Sequence, residues 1–231
     1  MKTSFKIKLA RIISQLIIFF FKKKNINVKR NNISWNLDLN EAIDLSIFLT
    51  GRFEPSILRT IKRLTLKNDY DYLDLNPNLK KQIIPIQAFI SSKKTKPENV
   101  YTSWQLSSKD NKHSQHLGIK KPLNGCDLIT LDKLVEENKI KKSIIKCDVD
   151  GNELFVFNSG FNYLKEFKPI IIMELAPYLY PENGYNSSEL FNFFSKINYK
   201  FYDVSNQKQI INIQDFSDSI TIGSSKNIFL I

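Results

Sequence analysis

Apolar positions change their period along the chain, and the changes mark its elements. Residues 9, 12, 13, 16, 17 and 20 are apolar and fall on one face of a helix over 9–21. Asn40 can cap a helix over 41–50, with Gly51 just past its end, and Pro55 opens another with Ile57, Leu58, Ile61 and Leu64 on one face. Residues 70–75 alternate like a strand, and 83–90 form a second strand candidate in which Pro85 weakens pairing on one side. Residues 91–124 are long, polar and without periodicity, as functional loops often are. Thr130 then caps a short helix carrying Leu131, Leu134 and Val135. A strand over 143–149 precedes a helix over 152–167 with an interruption at Gly160. Residues 169–175 are apolar on both faces, which predicts a central parallel strand. Ser187 caps a helix bearing Leu190, Phe193, Phe194 and Ile197, and 199–204 and 227–231 read as closing strands.

Strand–helix–strand–helix–strand from 143 onward predicts an α/β fold with a parallel sheet. Ligands of such sheets bind at the carboxyl ends of the strands. Asp148 and Asp150 follow one strand and Glu174 ends the next, so three carboxylates are expected at one crevice.

With 231 residues the chain is long enough for one α/β domain and too short for two full ones. Apolar residues make up 42%, which excludes a disordered chain and allows a sizeable core. The formal charge is +11, yet residues 1–30 hold nine Lys and Arg and no acid, so the rest is nearly balanced. Basicity confined to a tail argues against a nucleic-acid stripe across the fold. The tail's uninterrupted apolar run, 16–21, is far shorter than the ~20 residues of a spanning helix, and no small-residue cleavage site follows it. Two readings stand: a helix packed on the domain, or an interfacial helix contacting a membrane peripherally through residues 1–24. Cys126 and Cys147 form no C-x-x-C, which fits a reducing, cytoplasmic setting. The seven glycines are scattered, so there is no G-x-G-x-x-G and no P-loop.

The run Asp148-Val-Asp-Gly151 fits several chemistries. As a dehalogenase-type phosphatase motif it carries Asn152 in the wrong place and lacks a later Asp pair. As the D-x-D of a glycosyltransferase, Asp148 and Asp150 would hold a divalent cation through oxygen ligands. It also suits a plain strand-to-helix turn with acids near a helix N-terminus.

The longer run Ile144-Ile-Lys-Cys-Asp-Val-Asp-Gly-Asn-Glu-Leu-Phe-Val-Phe157, followed by Lys168-Pro-Ile-Ile-Ile-Met-Glu174, resembles the FkbM-type methyltransferases, as does the upstream Ile129-Thr-Leu-Asp132. The resemblance covers about 28–231 and is specific from 129 to 177, with Asp150 where the family usually has Glu. It implies a Rossmann-like class I methyltransferase sheet with helices on both faces. It also implies S-adenosylmethionine as cofactor and transfer of a methyl to a hydroxyl of a sugar, glycan or metabolite. On that basis Asp148 lies near the methyl-transfer point, and Asp148, Asp150 and Glu174 are the candidate catalytic acids. Glu153 orients acceptor hydroxyls or holds a strand end, and Asp74 and Ala88 join Asp148 in contacting the cofactor. Which group takes the hydroxyl proton the residues leave open.

The resemblance breaks near 75–82. Only seven residues, 76–82, separate the strand ending at Asp74 from the next, where the family has a glycine-bearing loop, a helix, a strand and a second helix. A parallel crossover alone takes a dozen residues or more. The expected fold is therefore incomplete in its N-terminal half, and the expected hold on S-adenosylmethionine is weak or lost. The expected organisation is a basic helical segment over 1–30 and one domain over 31–231, shortened internally. A non-catalytic remnant or glycan-binding module is the corresponding rival to an enzyme. His113 and His116, at i and i+3, lack a third metal ligand and read as solvated or acceptor-binding loop residues; Trp104 is placed to stack on a sugar or to anchor the loop. Tyr178, Tyr180 and Tyr185 either line a sugar site or pack the loop.

Overall fold

The computed structural model describes residues 3–30, 33–67, 85–95, 97–102, 106 and 118–231. In chain order the elements are α1 (Thr3–Phe21), β1 (Asn25–Arg30), β2 (Ile33–Asp38), α2 (Ala42–Thr50), α3 (Pro55–Lys67), β3 (Ala88–Ile90), β4 (Asn99–Thr102), β5 (Ile119–Pro122) and β6 (Asp127–Ile129). They continue with α4 (Leu131–Glu137), β7 (Ile144–Cys147), α5 (Glu153–Asn158), α6 (Phe161–Phe167), β8 (Ile170–Leu175), α7 (Ser187–Lys196), β9 (Phe201–Asp203), α8 (Ile213–Asp218) and β10 (Lys226–Leu230). The described residues of 1–55 and 98–123 form one compact unit, and those of 56–72, 85–97 and 124–231 form a second.

In the first unit, β1 and β2 pair antiparallel from Asn25↔Asp38 to Arg30↔Ile33. This hairpin is absent from the sequence reading, although Ile26 and Val28 alternate with polar residues, as do Ile33, Trp35 and Leu37. Ile7, Leu39, Leu45 and Leu106 form the unit's buried centre. Helix α1 is tied to it by Ser14 Oγ donating to the Leu39 carbonyl (2.6 Å) and Arg11 Nε donating to the Leu106 carbonyl (2.7 Å). The cap of α2 is Glu41 rather than Asn40; its carboxylate accepts from the Ile43 and Asp44 amides. Within 91–124, where no periodicity was visible, β4 and β5 pair antiparallel. Among the described residues no helix is long and apolar enough to cross a membrane.

The second unit holds a four-stranded sheet ordered β7-β8-β10-β9. β7 and β8 are parallel, whereas β10 runs antiparallel to both β8 and β9, so the sheet is mixed rather than all-parallel. β8 is central, as its two-sided apolar character predicts. Its period of two sends Ile171, Met173 and Leu175 to one face and Ile170 and Ile172 to the other. Strand β10 divides likewise, with Ile228 and Leu230 on the first face and Phe229 on the second. Ile57 and Leu64 of α3 cover the second face, with Thr60 and Thr65 also buried; Leu58, expected on that helix face, is exposed. Residues of α4 to α7 cover the first face, so helices lie on both sides of the sheet.

Gly160 breaks the expected helix over 152–167 into α5 and α6. A Cβ there would lie 2.5 Å from Leu131 Cδ2, so only glycine lets this turn approach α4. The cap of α7 is Asn186, in a reciprocal capping box with Glu189, and Ser187 is the first helical residue instead. Of the strand expected over 83–90, only Ala88–Ile90 is strand among the described residues, pairing parallel with β6 in a separate two-stranded sheet. The strand expected over 70–75 lies outside the described residues.

Candidate functional site

Parallel pairing in register builds the site. Cys147 of β7 pairs with Met173 of β8, so one step further along each strand brings Asp148 beside Glu174. The chain then turns sharply: Asp150 and Gly151 both adopt left-handed backbone, with φ of 47° and 89°, and the Asn152 amide donates to the Val149 carbonyl at 3.2 Å. Asp is among the few side-chain-bearing residues that tolerate this region. Gly151 is required twice over, since a Cβ would also lie 2.9 Å from Leu179 Cβ. The turn returns Asp150 towards the strand ends, and carboxylate oxygens of Asp148, Asp150 and Glu174 lie within 4.8 Å of one another.

The surroundings differ for each acid. Asp148 is exposed and pairs with Lys146 Nζ at 2.5 Å, two residues back on the same strand face. Glu174 is half-buried and accepts a hydrogen bond from Ser225 Oγ. Burial, and then the negative charge of Asp148, push the Glu174 carboxyl up to about 8. A carboxyl in that range holds its proton at neutral pH and releases it just above. The hydroxyl of Tyr178, in the short 3-10 turn after β8, is also pushed up, by burial and then by Glu174.

Glu153 is only 1% exposed. Its carboxylate accepts from the Gly151 amide (3.3 Å) and the Tyr185 hydroxyl (3.2 Å), and burial raises it to about 7. It therefore braces the turn that carries Asp150. Tyr180 and Tyr185 stack at 4.8 Å in the core, and Tyr185 also bonds the Gly151 carbonyl (3.0 Å). The structure thus assigns these two tyrosines to packing. Ala88 is half-buried at the start of β3. Asp74, Trp104, His113 and His116 lie outside the described residues.

Ser225 went unnoticed in the sequence, because it reaches Glu174 only through the antiparallel return of β10 and belongs to no local pattern. Three oxygen donors at this spacing can orient a hydroxyl and accept its proton, and they also suit a hard divalent cation. A surface recess of about 430 Å³ lined by Val135, Ile140, Tyr163 and Phe167 contains none of the three acids.

A family model described as "Methyltransferase FkbM domain" matches residues 57–201, a span that contains every acid of this cluster. No curated protein matches the chain. No solved structure matches it either.

Proposed function

From the premise that the chain belongs to the FkbM methyltransferase domain family, we propose that it is an S-adenosylmethionine-dependent O-methyltransferase acting on a hydroxyl of a sugar, glycan or metabolite. The observation that carries this reading is the convergence of Asp148, Asp150 and Glu174 at the ends of two neighbouring parallel strands. The mixed sheet order with helices on both faces supports a Rossmann-like scaffold for it.

S-adenosylmethionine, when bound, supplies an electrophilic methyl on a positively charged sulfur. The acid cluster suits the charge of that end, whereas the nucleoside end depends on a stretch near Asp74 where the sequence has no paired glycines. Asp148 and Asp150 would hold and orient the acceptor hydroxyl for transfer, and such positioning carries much of the rate. Glu174, in its ionised form, would take the acceptor's hydroxyl proton as that oxygen gains the methyl, whose bond to the sulfonium sulfur breaks to leave a neutral thioether. Lys146 holds the Asp148 carboxylate in place through their ion pair. Family membership favours this reading over glycosyl transfer through a cation on Asp148 and Asp150, which would instead require manganese and a nucleotide sugar to stabilise the fold.

Weak cofactor binding is expected because the sequence between Asp74 and Ala88 contains no glycine to form the family's glycine-bearing loop. A ligand stabilises the native state by RT ln(1 + [L]/Kd), so a Kd of about 1 mM gives only about 0.4 kcal/mol at about 1 mM ligand. The expected result of an S-adenosylmethionine titration is a melting temperature that rises only towards about millimolar ligand. A clear rise at about 10 μM would show an intact cradle, and no rise at about 10 mM would overturn methyl transfer itself.

A further inference from the structure

Helix α1 has two apolar faces, and only one is covered. Ile7 and Ser14 are buried in the first unit, with Ala10, Ile13, Ile17 and Ile18 packed at the edge of the same centre. The opposite face carries Phe5, Leu9, Ile12, Leu16 and Phe19, spaced four, three, four and three residues apart, followed by Phe20. All of these are exposed, and Phe19 and Phe20 are 76% and 77% accessible. A continuous exposed stripe of this size on a helix already held by its own unit calls for a covering surface.

The charges around it define that surface. At about 100° per residue, Lys6 and Lys8 fall on either side of the stripe, and both are exposed. Lys22, Lys23 and Lys24 follow its C-terminal end and are also exposed. Residues 1–30 contain no acid at all. Two copies pressed together along this face would bring like charges together, whereas a sheet of anionic headgroups over an acyl interior answers both the lysines and the phenylalanines. The helix is not long and apolar enough to cross a bilayer.

We propose that the outer face of α1 docks in the plane of an anionic lipid surface, with Leu16, Phe19 and Phe20 entering the acyl boundary and Lys6, Lys8 and Lys22–Lys24 meeting the headgroups. This docking is independent of the methyl-transfer reading.

Flotation of the full chain with vesicles tests it. Vesicles of phosphatidylcholine with about 30% phosphatidylserine should carry the protein upward, and vesicles of phosphatidylcholine alone should carry at least about 10-fold less. The variant Leu16→Gln/Phe19→Gln/Phe20→Gln should lose about 10-fold or more of the binding while melting at the wild-type temperature, because these side chains are exposed. The variant Lys22→Gln/Lys23→Gln/Lys24→Gln should lose the preference for anionic vesicles. Equal binding to both vesicle types would overturn the proposal. So would a lowered melting temperature in the apolar variant, or a wild-type dimer in sedimentation that the apolar variant abolishes while neither protein floats.

Discussion

On the proposed mechanism, Glu174→Gln should lower the methyl-transfer rate by about 10²–10⁴-fold, the range expected for loss of a positioned base. Gln keeps the shape of the side chain and can still accept from Ser225 Oγ, but it cannot take a proton. In the wild type, kcat/KM should rise with pH and level off above about 8, the value to which burial and Asp148 push this carboxyl. In the variant that limb should vanish. The same substitution acts oppositely on stability. Between about pH 4.5 and about pH 8 the folded protein holds a proton on Glu174 that the unfolded chain has already released. Stability therefore falls as pH rises through that window, by at most about 1.4 kcal/mol per pH unit, and stays level above it. Glu174→Gln should melt higher than wild type at about pH 8.5 and close to it at about pH 5. A slope should persist in the variant up to about pH 7, because Glu153 is raised to that value. Paired melting and rate profiles against pH check both halves.

Phe194→Ala costs about 3–5 kcal/mol, the range for removing a fully buried Phe. Phe194 has no exposed surface, and its ring meets Phe157 at 4.9 Å, Phe193 at 5.2 Å, Tyr199 at 5.6 Å and Phe201 at 6.2 Å. Truncation leaves a cavity among four rigid rings that belong to α5, α7, the turn after it and β9, so collapse around the gap is restricted. Against a typical stability of about 5–15 kcal/mol, that loss consumes much of the margin. Chemical denaturation of the variant should give a lower midpoint, with a slope close to wild type. Phe161→Ala, at a partly exposed ring, provides the contrast and should cost far less.

The β7–turn–α5 stretch and β8 were legible in the sequence because local composition dictates them. An apolar run, an Asp-Gly pair and a second apolar run state two parallel strands and the turn between, and Asp148, Asp150 and Glu174 follow from that. The antiparallel direction of β10 was not legible, since a short apolar strand carries no mark of its direction. Nor was the burial of α1. Apolar residues occupy most of its circumference, so positions 9, 12, 16 and 20 satisfied a helical period yet lie exposed, while 7 and 14 are buried. Periodicity finds a face only where a polar one opposes it. Ser14 is buried because the Leu39 carbonyl accepts its hydroxyl, a partner 25 residues away that no local pattern reveals.

The central claim is that acids closing two adjacent parallel strands act as one group. Titration of Glu174 by carbon-13 NMR in the full chain, in wild type and in Asp148→Asn, tests it most directly. The expected result is a wild-type midpoint of about 8 that falls in the variant yet stays above the ordinary carboxylate range, because burial remains when the neighbouring charge is gone. A wild-type midpoint near about 4.3, unmoved by Asp148→Asn, would contradict it.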